Sequence, residues 1–256
     1  MIHPKARVDI TVAVGPYAII DEHVIVGRNC QIGPYVYLTG WTEIGANNQF
    51  HAGCVIGDAP QDLKYRNEPT GVVIGQSNIF REHVTVHRSN KATEQTVIGS
   101  HCFLMAHCHV GHNARLSDYV ILANGALIGG HAELGKRAFI SGNCLVHQFM
   151  RVGALALMQG GSAISKDLPP YTVARGHNGI CGLNVVGLRR AGFTNQERVE
   201  LKRLYHLLFR RKAKLRAALA DATKQFTSTS ATVLIEFVAS ARRGLCADTG
   251  ASPDTE

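Results

Sequence analysis

No stretch of the chain carries the roughly 18 consecutive apolar residues that a membrane-crossing helix needs, so no stable membrane insertion is expected. The first residues, Met1-Ile-His-Pro-Lys5, lack the apolar centre of a secretory leader, and the expected location is the cytoplasm. A disulfide framework is missing as well. The seven cysteines are odd in number, and Cys30, Cys54, Cys102, Cys108 and Cys144 recur at positions that a small core residue would fill, so neither disulfides nor a cysteine metal site is indicated. Acidic side chains are in deficit, 19 Asp and Glu against 27 Lys and Arg, for a net charge of +8. Such a balance favours an acidic partner: a nucleotide, a carrier protein bearing phosphopantetheine, nucleic acid or a membrane surface. The basic blocks are only Arg189-Arg190, Arg210-Arg211-Lys212 and Arg242-Arg243, the last two as well explained by a solvated helix face, and nucleic acid is not the expected partner.

What the sequence has instead is a period. From Val8 to Ile164 an aliphatic residue, Phe or Met stands at every sixth position: Val8, Val14, Ile20 and onward to Ile56, then Ile74, Phe80, Val86, then Ile98 to Ile164. Such residues make up about a third of an ordinary chain, so filling all 24 slots by chance has a probability on the order of 10⁻¹². Gly often follows the apolar residue (Gly15, Gly27, Gly33, Gly111, Gly129, Gly135), and a small or branched residue stands four after it (Ala18, Val24, Cys30, Val36, Ala114, Val120). A period of six fits neither the 3.6 of a helix nor a hairpin strand. It fits a solenoid of short strands joined by tight corners, three hexads to a triangular coil of 18 residues.

Two polar breaks, at residues 58–73 and 89–96, interrupt the hexads. Both are whole multiples of six between filled slots, so each is expected to loop out of a corner while the coil resumes in phase, and loops of this length in a solenoid are usually functional. The repeats end at Asp167-Leu-Pro-Pro-Tyr171, where two prolines stop the strands. The expected domains are therefore a coil over residues 1–184 and a helical unit over 185–256. Within the latter, Thr194 and Glu197 form a capping box, about three helices run from 194 to 245, and a disordered tail begins near 247. The flat outer sides of such a solenoid need cover, and a trimer is the expected assembly.

Residues 18 apart should stack about 4.8 Å apart in neighbouring coils. That puts His112, Gly130 and Gln148 in one column, Gly111, Gly129 and His147 in another, and Asn113, His131 and Phe149 in a third. A lone histidine such as His3, His23 or His101 is ordinarily structural, but this cluster converges on one prism edge. An imidazole there suits a general base, and a corner Gly N–H suits an oxyanion donor.

The hexads resemble those of the hexapeptide-repeat acyltransferases, which implies a mainly β, left-handed parallel β-helix followed by a small α-helical domain. Within that class the run Gln61-Asp-Leu-Lys-Tyr65 with Glu68-Pro-Thr70, His109-Val-Gly-His112, Ile121-Leu-Ala-Asn124, Val146-His-Gln-Phe149 and Gly187-Leu-Arg-Arg190 is similar to the UDP-N-acetylglucosamine O-acyltransferases that begin lipid A synthesis. The resemblance implies transfer of a 3-hydroxyacyl chain from acyl carrier protein to the sugar 3-hydroxyl, by a homotrimer with sites between subunits and with no cofactor or metal. It implies His112 as general base, Gly130 as oxyanion donor, and Asp62 and Lys64 as substrate-holding loop residues from a neighbouring subunit. Ligand contacts fall to His87, His109, His131, His147 and Gln148, nucleotide contacts to Asn184 and Arg190, and the acyl-chain stop to Gly160, whose missing side chain leaves room for a long chain.

The chain departs from the family pattern at three places: Asn113 where an Asp is expected beside the base, Val186 where a Glu is expected, and Ala191 where an Arg is expected. An amide can hold the imidazole tautomer but brings no charge, so a weaker base is expected. An N-acyltransferase acting on a 3-amino sugar nucleotide or a later lipid A precursor would use the same residues. A zinc site built on His107 and His112 with His83 or His87, as in γ-class carbonic anhydrases, and a non-catalytic scaffold are the remaining alternatives.

Overall fold

The computed structural model describes residues 1–211 and 214–250. Between Arg7 and Ile164 the chain forms 24 strands of two to four residues, wound so that every third strand pairs in parallel with the one before it. Three faces result. Face 1 runs from Arg7–Val8 to Arg151–Val152, face 2 from Ala13–Val14 to Leu157–Met158, and face 3 from Ile19–Ile20 to Ala163–Ile164. The register is that of an 18-residue coil, Ile121 opposite Phe139 and Phe139 opposite Leu157.

The hexad pattern explains the core. Every periodic apolar residue from Ile20 to Ile164 is buried, as are the small residues four positions on; Val8 and Val14, at the open first coil, are not. Asn48 and Asn78 occupy two of these inward slots and are satisfied by backbone: Asn48 Nδ2 donates to the Gly45 and Gly75 carbonyls, and its Oδ1 accepts from the Asn78 N–H. All seven cysteines are buried and free, and burial pushes the Cys54 thiol up to about 12, so they act as apolar filler. The third corner residue repeatedly takes positive φ, at His83, His107, Asn113, His131 and Phe149 among others, and this conformation aligns such side chains in outward columns. Ring stacks follow: His83 on His107, His101 on Tyr119, His131 on Phe149.

The two polar breaks are insertions at the same corner. Gly71 pairs with Trp41, 30 residues back, and Gln95 with Gly71, 24 back, which is one coil plus twelve and one coil plus six. The first loop lies between Val55–Asp58 and Gly71–Ile74, the second between Thr85–His87 and Gln95–Ile98, so both leave from the edge where face 3 turns into face 1.

Beyond Asp167 the pairing continues past the prolines. Thr172–Arg175 adds to face 2 against Leu157–Met158 and forms an antiparallel hairpin with Gly179–Leu183. Helices α1 (Val185–Arg190), α2 (Asn195–Tyr205), α3 (Leu215–Gln225) and α4 (Thr229–Ala239) follow, with one π-helical turn, His206–Arg210, extending α2. Helix α1 lies ahead of the three helices expected from 194, and Thr194 with Glu197 caps α2 reciprocally. The first two residues of the tail expected to be disordered from about 247 instead make a strand. Ala247–Asp248 pairs with Gly179–Leu183, and the Asp248 carboxylate accepts from the Tyr205 hydroxyl and from Arg210 Nε at 2.8 Å. Residues 251–256 lie outside the described residues. The helical unit is tied to the coil by Arg151, whose Nη2 lies 2.7 Å from Asp167 Oδ2 and whose guanidinium sits 4.4 Å over the Phe237 ring of α4. No helix among the described residues is long and apolar enough to cross a membrane.

Candidate active site

The edge between faces 3 and 1 gathers His87, His112, His131 and His147, with His109 on the adjoining strand of face 3. After Val110, Ile128 and Val146 come three stacked corners that carry His112, Gly130 and Gln148 at one position and Asn113, His131 and Phe149 at the next. Backbone hydrogen bonds tie each corner to the next, running between the two neighbouring columns. The His131 N–H donates to the His112 carbonyl at 2.9 Å, and the Phe149 N–H to the Gly130 carbonyl at 2.9 Å. The absence of a side chain at Gly130 is what admits the base, because a Cβ there would lie 2.7 Å from His112 Nε2 and 2.8 Å from Cε1. The Gly130 N–H meets no acceptor among the described residues.

Asn113 orients the imidazole. Its Nδ2 donates to Glu94 Oε2 at 2.7 Å and to Ser89 Oγ at 2.8 Å, while its Oδ1 accepts from the Asn90 N–H at 3.0 Å. A carboxylate can only accept and an N–H can only donate, so the amide has one orientation. His112 Nδ1, 2.9 Å from the same Oδ1, must then carry the proton, which leaves Nε2 as the lone-pair atom over Gly130. The Asn113 N–H is itself held by Thr96 Oγ1 at 2.8 Å.

The surrounding imidazoles are kept neutral. Burial lowers His109 to about 4, helped by its neighbours His87 and His112, and its Nδ1 lies 2.8 Å from Thr85 Oγ1. Burial lowers His87 too, against the pull of Asp58, and its ring meets His109 edge-on at 4.7 Å. His131, edge-on to His112 at 5.2 Å, is lowered by burial and by His112, with Glu94 opposing. His147 and Gln148 are exposed in the last of the three corners.

Asp62 reaches this site within the same chain. Its Oδ2 accepts from Asn90 Nδ2 at 2.7 Å and its Oδ1 from the Lys64 N–H at 2.9 Å, and these bonds hold its carboxyl below the usual range. The expectation that Asp62 comes from a neighbouring subunit is corrected on this point: Asn90 bonds both Asp62 and Asn113, so the first loop folds over its own coil. Lys64 is exposed beside it. The loop is pinned further by Arg88, which donates to the Tyr65 hydroxyl at 3.1 Å and to the Gly57 carbonyl at 2.9 Å.

Other expected residues lie elsewhere on the prism. Gly160 is exposed at the edge between faces 2 and 3, over Gly142. Asn184 stands at the edge between faces 1 and 2, where its Nδ2 donates to the Leu155 carbonyl at 2.9 Å and its Oδ1 caps α1 by accepting from the Gly187 N–H at 2.9 Å. Arg190 is exposed at the end of α1. A groove of about 850 Å³ beside it is lined by Asn184, Val186, Arg189, Arg198, Lys202 and Arg210. His83 and His107 stack on each other at the edge between faces 2 and 3, so within one chain His107 does not join His112. Sequence reasoning missed Glu94, Asn90 and Thr96, which sit in or beside the aperiodic second loop; their only signal was their place within a break before His112.

A coiled prism of hexads with an imidazole and a bare corner N–H on one edge defines a hexapeptide-repeat transferase, and residues 23–58 and 95–130 match the family model described as bacterial transferase hexapeptide. Residues 167–246 match the model of UDP-N-acetylglucosamine O-acyltransferase domain 2. Over 96% of both chains, the sequence is 41% identical to an acyl-[acyl-carrier-protein]–UDP-N-acetylglucosamine O-acyltransferase of Thermodesulfovibrio yellowstonii. It is 39% identical, over the same shares, to one of Halorhodospira halophila. Among solved structures, the UDP-N-acetylglucosamine acyltransferase of Francisella novicida superposes with a TM-score of 0.92 at 30% identity, over 98% of this chain and 95% of that one. That of Bacteroides fragilis superposes at 0.91 and 34% identity, over 95% and 96%. The chain belongs to the UDP-N-acetylglucosamine O-acyltransferase family.

Proposed function

We propose that the protein transfers a 3-hydroxyacyl chain from an acyl carrier protein thioester to the 3-hydroxyl of UDP-N-acetylglucosamine, the first step of lipid A synthesis, in the cytoplasm. The observation that carries the reading is the pairing of a fixed Nε2 lone pair on His112 with the unpartnered Gly130 N–H one coil along. Nε2 takes the hydroxyl proton as the sugar oxygen attacks the thioester carbon. Gly130 N–H donates to the oxygen of the tetrahedral intermediate. Collapse expels the pantetheine thiolate, and the imidazolium returns the proton to it. A positioned base and one oxyanion donor supply factors of about 10²–10⁴ and 10²–10³, enough for an activated thioester with no cofactor or metal.

His87, His109 and His131, held neutral by burial, line the approach without adding charge, and Asp62, Lys64, His147 and Gln148 flank it. The remaining expected contacts, Gly160, Asn184 and Arg190, lie off the His112 edge. A site using all of them forms only when chains pack side by side, which supports a homotrimer with sites between subunits. Leu127 and Leu145, 42% and 48% exposed on the outward side of face 3, are apolar surface of the kind such packing or an acyl chain would cover.

Mass-spectrometric assay of the purified protein with 3-hydroxyacyl carrier proteins of several lengths, offered UDP-N-acetylglucosamine and its 3-amino analogue separately, tests the reading. O-acylated product is expected, and His112→Ala should lower its rate by at least about 10² with the fold intact. An active His112→Ala variant, or product from the amino sugar alone, would overturn it.

A further inference from the structure

We propose that Glu94 is a positioning residue that supplies, through the Asn113 amide, the negative charge behind the His112 base. The inference rests on the reading of His112 as that base. Beside the histidine this chain has an amide, and the amide's far side ends on a carboxylate: Glu94 Oε2 accepts from Asn113 Nδ2 at 2.7 Å, and Asn113 Oδ1 faces His112 Nδ1 at 2.9 Å. Donating to a carboxylate polarises an amide, so its oxygen becomes a stronger acceptor for the imidazole N–H as that ring gains positive charge. The relay is braced at every member. The Asn90 N–H and Ser89 Oγ bond the Asn113 amide, Asn113 is 5% exposed, and Lys91 Nζ holds Glu94 Oε1 at 2.9 Å.

Other charges face this chain of bonds. His131 Nδ1 lies 3.8 Å from Glu94 Oε2; His87 and His109 approach from face 3, Asp62 from the first loop and Lys91 from the second. The neighbouring histidines are held neutral by burial and Lys91 partly offsets Glu94; Asp62 reaches the Asn113 oxygen only through Asn90, whereas Glu94 bonds the amide directly, so Glu94 is the carboxylate nearest the base along the bonded groups.

The test is the pH profile of kcat/KM together with kcat and KM for four variants. Glu94→Gln keeps the shape and an acceptor for Asn113 but removes the charge. It should lower kcat by about fivefold or more with KM nearly unchanged, and move the acid limb to lower pH, because losing a nearby anion disfavours the imidazolium. Lys91→Met should move the limb the other way. Asn113→Asp alone sets two carboxylates in hydrogen-bond contact and should be impaired, whereas Asn113→Asp with Glu94→Gln transfers the charge next to the imidazole and should recover activity. A Glu94→Gln enzyme with an unmoved acid limb and unchanged kcat, or a double variant no better than Asn113→Asp, would overturn the proposal. His112→Ala in parallel separates the two failures: if it stays active the base assignment itself falls, and if it is inactive while Glu94→Gln is indifferent only the role of Glu94 falls.

Discussion

His112 is set by two contacts of opposite kind, a hydrogen bond at Nδ1 and a void at Gly130. The void is as specific as the bond. Gly130→Ala would place a Cβ 2.7 Å from Nε2, so the ring must swing off Asn113; a loss of about 10²-fold in kcat is expected, with the melting temperature little changed. His109 gives a pH signature of its own. Burial lowers it from 6.5 to about 4, so below about pH 6.5 the unfolded chain binds the proton more readily than the native one. Stability due to this residue is complete above that pH and is lost as pH falls toward 4, by about 3 kcal/mol in all. Denaturant titrations at pH 4.5 and 7 should show a smaller difference for His109→Gln than for the wild type. The column His112, Gly130, Gln148 was readable from the 18-residue stacking alone. Asn113 was readable only as a missing charge, because Glu94 stands 19 residues earlier in a loop with no period to project it.

Short strands and corners behaved as their pattern required. The insertions are twelve and six residues long, so phase survives both, and a six-residue period made that visible without coordinates. Less was visible in the hairpin and the terminal strand. Pro169 and Pro170 do end the regular coil, yet Thr172–Arg175 still finds face 2, since prolines remove donors only at their own positions. Asn184, expected at the nucleotide, has both side-chain groups committed to backbone. Asn184→Ala should cost about 1 kcal/mol of stability by thermal or chemical unfolding, and Asn184→Ser should restore most of it through the same cap. At the junction of coil and helices, Arg151→Met would leave Asp167, 3% exposed, without its cation; a loss of about 3–5 kcal/mol is expected in chemical unfolding.

The assembled prism distributes the expected contacts over its three edges, and this has consequences beyond one chain. Analytical ultracentrifugation should give the mass of three copies. Leu145→Glu, placing a charge on the exposed apolar side of face 3, should shift the population toward single chains and reduce acyl transfer in parallel, while the circular dichroism of the coil persists. A monomeric variant with full activity would show that one chain carries the complete site.

Periodicity sufficed for the solenoid, its buried slots, its phase across both loops and the stacking of residues 18 apart, because a repeat that places one residue places all of them. Capping chemistry sufficed for the start of α2. Folding was needed for what has no period: the docking of both loops over the His112 edge, the single orientation of the Asn113 amide, the carboxylate behind it, and the pairing of Ala247–Asp248. Each of these depends on side chains from segments at unrelated spacings meeting within hydrogen-bond distance, and only the packed chain brings such segments together.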